Sequence, residues 1–552
     1  MTERREHSYI PTLRQQLAEG KIDRREFLRT ATLLGLSAGA AYAFVGKVTG
    51  ERFVPRAKAA MPKGGTLRLS MRVLDIKDPH TFSWAVDSNI TRNVVEYMSK
   101  TGQDNVTRPL LLESWAASDD LKTWTLNVRK GIKWHNGREL DANDIVRNIN
   151  HVLDPDTGSS VLGLMKGYML NEVEKDGEKT TELWDANAVE RIDSHTVRLN
   201  CKQAQLAVPE HLFHYPFPVL DPEEGGKFGV GSNGTGAFDL VAHEIGRKSV
   251  LKARGDYWGD GPYLDSLEYH DLGDDPSAKI AALASKQVHG LDTADILSVD
   301  AIKALPHVNI FEVSTAQTAV VRGRVDTAPW DDPRVRKALR LATDTPKILQ
   351  LAYRGLGSPG EHHHVCPIHP EYAKLPFMKQ DIAAAKALLA EAGHADGIDV
   401  KIDLNGNSKW EINAAQGLKE QWKAAGIRVD LNVMPGAQFW ENWDKTPFGM
   451  TSWTHRPLGV MVLGLAYRSG VPWNESAYNN PEFDRLLTKA EGLLDVDERR
   501  EVMVEIEKIM QEDGPITQTL WRAVFTAMDK RVKGFSMHPT SYLFGEELAV
   551  ES

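Results

Sequence analysis

Cysteine is nearly absent from this chain, because its 552 residues contain only two, Cys201 and Cys366. Two cysteines exclude a small scaffold held together by disulfides, and the sequence leaves open whether they pair or remain buried free thiols. Runs of about 18 or more apolar residues are also missing past the N-terminal region, which excludes a membrane-spanning helix there. Basic residues are in deficit, with 66 Lys and Arg against 76 Asp and Glu. This balance disfavours a nucleic-acid surface, since phosphate binding needs clustered basic residues.

The remaining composition, 41% hydrophobic and 26% charged, is ordinary for a large globular protein. At roughly 100–200 residues per domain, the length suggests two to four domains. Alternating runs such as HTVRLNC (195–201) and amphipathic segments predict an α/β fold with more than one sheet. Asp331 and Asp381 are the predicted caps of two helices, the first entered at Pro333.

The first 59 residues are typical of an export signal. Adjacent Arg24 and Arg25 precede an apolar stretch at 31–45 that is too short to span a membrane. Ala57-Lys58-Ala59 then supplies the small-x-small pattern of a cleavage site after Ala59. We interpret residues 1–59 as a twin-arginine signal and expect a periplasmic protein. The alternative is an amphipathic cytoplasmic helix with a chance arginine pair.

Six segments along the chain follow one another in the order known from a single protein family: 111–145, 233–240, 253–269, 331–344, 385–397 and 479–487. Together they resemble the extracellular solute-binding proteins, family 5. That family includes dipeptide-, oligopeptide- and nickel-binding proteins of ABC importers. The resemblance covers more than 400 residues and locates a fold without naming a ligand.

The resemblance implies a two-lobed periplasmic binding protein of type II, cluster C-like, with a ligand cleft between the lobes. Lobe one would comprise 62–316 and 525–552, with a sub-domain at about 85–220, and lobe two would comprise 317–524. The implied protein is a monomeric receptor, not an enzyme, with no cofactor and no resident metal. Its partners would be a small or peptide-like solute and the membrane permease of an ABC importer, with no nucleic acid.

The most informative departure from the family lies in SWTHRPLG (452–459). Peptide-binding relatives carry a Trp here, followed three residues later by an Asp that binds the peptide ammonium. Trp453 keeps the aromatic position, but Arg456 replaces the Asp, and an arginine repels an ammonium. Arg456, with Thr454 and His455 beside it, instead suits an anionic or neutral polar group. The alternative is a shifted loop in which Arg456 faces solvent.

Three further residues are candidate ligand contacts. Trp440 lies in a tryptophan-rich second half of the chain, where aromatic walls suit sugars or quaternary ammonium groups. Trp84 and Asp87 belong to SWAVDS (83–88), which matches a contact segment of relatives. Core packing is the alternative for each tryptophan.

EHHHVCPIHPEY (361–372) contains four histidines and Cys366 within nine positions. This density could serve a nickel- or metallophore-binding receptor, but three adjacent histidines cannot all turn inward from an extended strand. We therefore favour a solvated loop that binds no metal. No G-x-S-x-G, H-E-x-x-H or P-loop motif is present. An exported hydrolase with an unusual site and a chaperone-like peptide binder remain the alternatives from other classes.

Overall fold

Two compact units make up the computed structural model, which describes residues 6–50, 61–175 and 177–551. Unit 1 comprises Met1–Phe311 with Phe525–Ser552, and unit 2 comprises Glu312–Val524. The chain passes from one unit to the other inside the strands Val308–Gly323 and Ile516–Asp529. The cleavage position predicted after Ala59 lies outside the described residues.

Unit 1 contains a mixed sheet and a separate antiparallel sheet. The mixed sheet has the strand order Phe238–Glu244, Lys248–Ala253, Ser266–His270, Thr66–Ser70 and Gly290–Leu291. Its first three strands are antiparallel, whereas the last three run parallel to one another. The antiparallel sheet has the order Leu112–Ala117, Thr123–Val128, Thr196–Asn200 and Val189–Asp193. Short hairpins pair Ser99–Thr101 with Thr107–Pro109, Leu170–Lys175 with Glu178–Leu183, and Val532–Lys533 with Ala549–Val550.

The α-helices of unit 1 are Ile10–Ala18, Arg24–Leu33, Ala38–Thr49, Ser88–Thr91, Ala142–Leu153, Val161–Met169, Val208–His211, Pro276–Ala284 and Val299–Lys303. Helix Ala142–Leu153 begins at a reciprocal capping box formed by Asp141 and Asp144. No α-helix in the described part of the chain is both long and apolar enough to cross a bilayer.

The apolar stretch at 31–45 is divided between two of these helices. Asp23 caps Arg24–Leu33 through the amide of Glu26, and Ser37 caps Ala38–Thr49. Arg24 and Arg25 are exposed, whereas Phe27 and Leu28 are buried. The arginine pair is therefore on the surface, as recognition by a receptor requires.

Unit 2 is built around one mixed sheet. Its strand order is Ile516–Asp529, Val308–Gly323, Phe448–Trp453, Ile398–Asn405 and Ile427–Met434, and Gly357–Pro359 pairs with the first of these. Strand Ile398–Asn405 runs parallel to both of its neighbours. Helices cover this sheet: Pro333–Leu341, Thr345–Tyr353, Ile382–Glu391, Lys409–Lys423, Gly436–Asn442, Gly459–Ala466, Pro481–Glu491 and Val496–Glu512. The α/β class predicted from the sequence is confirmed.

The two predicted helix caps had different outcomes. Asp381 caps Ile382–Glu391 by accepting from the amide of Ala384, as predicted. Asp331 is not the cap of Pro333–Leu341, because the side chain of Asp332 accepts from the amide of Arg334 instead. The acceptor must directly precede the first helical residue, and Pro333 holds that first position.

Candidate functional site

The candidate ligand residues are divided between the units. Trp84 and Asp87 lie in unit 1, and Trp440, Trp453, Thr454, His455 and Arg456 lie in unit 2. Within unit 2, strand Phe448–Trp453 ends directly before residues 454–458, here called the anchor loop, and helix Gly459–Ala466 follows. Trp453 stands opposite Thr318 in the antiparallel pairing with Val308–Gly323. The sheet therefore fixes the position at which the anchor loop begins.

Trp453 belongs to an aromatic cluster formed by Trp440, Trp443, Trp453 and Trp473. Trp453 and Trp473 meet edge to face with ring centroids 5.9 Å apart, and Trp443 lies 6.2 Å from Trp453 and 6.0 Å from Trp473. Trp440 lies 5.9 Å from Trp443 and is only partly buried. Edge-to-face pairs are the favoured arrangement of buried aromatic rings. The core interpretation therefore fits Trp453, which is 4% exposed, whereas Trp440 keeps accessible surface.

A buried carboxylate holds the indole of Trp453. Glu475 Oε1 accepts from Trp453 Nε1 at 2.9 Å, and its Oε2 accepts from Thr451 at 2.6 Å. Arg322 Nε donates to the same Oε2 at 2.8 Å, and this guanidinium is fully buried. A buried charge is tolerated when it is paired and hydrogen-bonded, as here. Sequence reasoning missed Glu475, since it lies 22 residues from Trp453 and no spacing rule connects them.

The guanidinium of Arg456 is oriented by its own loop. Arg456 Nη1 donates to Thr454 Oγ1 at 2.5 Å and to the carbonyl of His455 at 3.0 Å. Arg456 is 4% exposed, so the alternative in which it points into solvent is wrong. His455 Nδ1 accepts from the amide of Ala316 at 3.1 Å. That bond places the proton of a neutral His455 on Nε2.

The His loop (residues 361–369) is not a solvated loop, and that expectation is wrong. His362, His363, His364 and His369 are each at most 3% exposed, and Cys366 is 2% exposed. The argument against three inward histidines assumed an extended strand. His362 and His364 instead adopt left-handed backbone angles, with φ of 64° and 61°, which turn all three rings into unit 2.

Backbone groups and one tyrosine occupy a ring nitrogen of each of these histidines. His362, His363 and His369 accept through Nδ1 from the amides of Gln518, Val365 and Cys366, and His364 Nδ1 lies 2.5 Å from the hydroxyl of Tyr467. Burial lowers the pKa of His362 and of His363 to about 3. Among the described residues, no group of three or more possible metal ligands includes a residue of this loop.

The His loop instead supports the anchor loop. His369 Nε2 donates to the carbonyl of Arg456 at 3.1 Å, and Glu371 Oε1 accepts from the amide of Val460 at 3.0 Å. His364 meets Trp453 edge to face at 5.6 Å. These residues hold both ends of the anchor loop. Sequence reasoning noticed the histidines but missed this positioning role.

In unit 1, Trp84 and Asp87 are both partly buried, and Asp87 directly precedes helix Ser88–Thr91. Burial raises the pKa of Asp87 to about 7, and the charge of Asp75 raises it further. The two cysteines are buried free thiols in different units, and burial raises the pKa of each to about 12.

Comparison with known proteins decides the family. Residues 107–461 match the model of the bacterial extracellular solute-binding proteins, family 5 Middle. The chain belongs to this family. It is a binding protein of the kind that serves ABC importers of peptides, nickel or opines.

The known relatives differ in what they bind. Heme-binding protein A of Haemophilus influenzae is 23% identical over 83% of this chain and 86% of its own length. The structure of AgaA from A. tumefaciens R10 with agropinic acid has a TM-score of 0.78 at 21% identity, and covers 88% of this chain and 99% of its own. H. influenzae OppA, bound to RPPGFSPFR, has a TM-score of 0.76 at 20% identity, and covers 89% and 99%. These likenesses confirm the two-lobed periplasmic binding-protein fold.

Proposed function

We propose that this family 5 protein is exported by its twin-arginine signal and works in the periplasm. There it binds a small polar solute or modified peptide, anionic or neutral, and delivers it to an ABC permease. The observation that carries the ligand class is Arg456, which occupies the position of the ammonium-binding Asp of peptide receptors and is buried. The relatives that are substrate receptors support a receptor rather than an enzyme.

The electrostatics of the anchor loop favour an acceptor on the solute. Thr454 Oγ1 and two loop carbonyls orient the guanidinium, but neutral oxygens do not cancel its positive charge. A carboxylate can engage such a guanidinium through two parallel hydrogen bonds. The Nε2 proton of His455 would supply a further donor. A free α-ammonium would meet the wrong charge at this place.

The fold itself does not decide between acids and peptides, since AgaA was solved with agropinic acid and OppA with a nonapeptide. Sequence identity to both is low, 21% and 20%. The residue at position 456 therefore carries more information about the ligand than the overall likeness does. The His loop gives the metallophore alternative no support, because its rings are enclosed in the core of unit 2.

The test is a binding measurement on wild type, Arg456→Ala, Arg456→Lys and the control Arg485→Ala. Arg485 is an exposed arginine of the same unit that pairs with Glu482. The probes are agropinic acid, any solute that native mass spectrometry finds on the periplasmic protein, and a panel of di- to pentapeptides. A truncated charge pair costs about 2–5 kcal/mol, so Arg456→Ala should weaken acid binding about thirtyfold or more. Lys should restore part of the loss, and Arg485→Ala none.

Tight binding of ordinary peptides, unchanged by Arg456→Ala, would contradict the proposal. Glu411 is the residue to examine in that event. It is 3% exposed, its Oε2 has no hydrogen-bond partner among the described residues, and burial raises its pKa. Loss of peptide binding in Glu411→Gln would place an ammonium anchor there instead.

A further inference from the structure

Three side chains far apart in sequence converge in unit 1: Asp78, His80 and His151, here called the unit 1 triad. One oxygen or nitrogen atom from each lies within 4.8 Å of the other two. Asp78 precedes the short 3-10 helix Pro79–Thr81 and accepts from the amide of His80 through Oδ1 at 2.9 Å. His151 lies in the last turn of helix Ala142–Leu153. Two different segments thus bring the triad together.

The imidazole of His80 is arranged as a metal-binding imidazole is. Its ring is 1% exposed, and Nε2 donates to the carbonyl of Pro218 at 2.8 Å. The other nitrogen, Nδ1, is buried and has no hydrogen-bond partner among the described residues. Metal-bound histidines commonly donate their second ring N–H to a backbone carbonyl, which fixes the tautomer and leaves the other nitrogen as ligand. Burial lowers the pKa of His80 to about 4, so the ring is neutral in ordinary buffers.

The other two members supply an accessible edge. Asp78 Oδ2 and His151 Nε2 are 3.3 Å apart, and their side chains are 28% and 43% exposed. Ligand atoms around a tetrahedral Zn²⁺ with bonds of about 2.0–2.1 Å are separated by about 3.3 Å. Gly226 faces this edge, where an added Cβ would lie 3.3 Å from Asp78 Oδ2 and 3.5 Å from His151 Nε2. A larger residue would narrow the space beside the two ligands.

We propose that the unit 1 triad binds a divalent transition metal of the zinc class. Asp78 Oδ2, His80 Nδ1 and His151 Nε2 are its ligands, and solvent completes the coordination. Two imidazoles and one carboxylate are ligands that Zn²⁺ accepts, with a fourth position left for water. The metal would join the segment at 78–80 to the end of helix Ala142–Leu153 and so stabilise unit 1. This site is independent of the solute and of Arg456.

The experiment titrates Zn²⁺ into the full chain, purified without a histidine tag and treated with EDTA, and follows binding by calorimetry. His151→Ala and Asp78→Asn are the test variants, because both residues are partly exposed and Asn retains the cap acceptor. His195→Ala is the matched control, since His195 is also partly exposed and lies near only one carboxylate, Glu139 at 3.5 Å. Wild type should bind one Zn²⁺, and each test variant should bind it at least tenfold more weakly. The control should match wild type.

Two further readouts distinguish a formed site from loose surface binding. Saturating Zn²⁺ should raise the Tm of wild type and His195→Ala but not that of His151→Ala, because only a folded-state site stabilises. Co²⁺ should give wild type a visible absorption band that His151→Ala lacks. Equal Zn²⁺ affinity in wild type and His151→Ala, or an equal loss in His195→Ala, would overturn the proposal.

Discussion

The His loop of unit 2 and the unit 1 triad use the same side chain in opposite ways. Four histidines within eight positions of the His loop are buried, and each has a ring nitrogen engaged by a backbone amide or a tyrosine. The triad draws His80 and His151 from positions 71 residues apart, and leaves Nδ1 of His80 without a partner among the described residues.

The difference teaches that histidine density along the chain is a poor guide to metal binding. What matters is whether ring nitrogens converge and whether the second nitrogen of each ring is held by a suitable acceptor. The His loop serves the fold by supporting the anchor loop. The triad has the geometry of a site, although no local motif marks it.

The largest expected effect tests whether the region around the His loop is a closed core. Trp453→Ala should destabilise the protein by about 3–5 kcal/mol, since it removes a buried indole and leaves a cavity. It also leaves Glu475 Oε1 without the donor that it accepts from at 2.9 Å. Trp440→Ala is the control, because Trp440 is only partly buried and should cost much less. Urea unfolding measures both. Equal small losses would show that Trp453 is not a core residue.

The sequence predicted the architecture better than the site. Family motifs gave the α/β fold, and local capping rules found the helix after Asp381. The burial of the His loop was not predictable, because left-handed angles at His362 and His364 are rare for residues other than glycine and leave no signature. Glu475 and the unit 1 triad depend on contacts between distant segments. Local patterns cannot reveal such tertiary contacts.

A smaller effect should separate the two groups of histidines directly. His363→Ala removes the acceptor of the Val365 amide at 3.2 Å, and an unsatisfied buried donor costs about 1–3 kcal/mol. His151→Ala, measured without metal, should stay within about 0.5 kcal/mol of wild type, as surface changes usually do. Thermal unfolding in EDTA gives both values. A metal-free His151→Ala variant as unstable as His363→Ala would show that the triad is a packing feature.

The smallest effect concerns Glu507, the carboxyl group beside His363. Glu507 Oε1 accepts from the amide of Ala373 at 3.0 Å, and its Oε2 lies 3.6 Å from His363 Nε2. Burial raises the pKa of Glu507 to about 9, and burial lowers that of His363 to about 3. Both groups are therefore neutral in the folded protein at pH 7, and their contact is not an ion pair.

This assignment fixes the sign of a pH dependence. Between pH 7 and 8.5 the folded protein keeps the Glu507 proton, whereas the unfolded chain has lost it, so stability should fall as pH rises. The slope is about 1 kcal/mol per pH unit. His362 and His363 add nothing there, because their protonation differs between the states only below about pH 6.5. Glu507→Gln keeps an acceptor for Ala373 but cannot ionise, so its Tm should fall less than that of wild type over this range. Glu505→Gln is the control, since Glu505 is exposed on the same helix and pairs with Lys508. Identical Tm–pH slopes in wild type and Glu507→Gln would mean that Glu507 is ionised in the folded state, and the neutral core inferred around the His loop would be wrong.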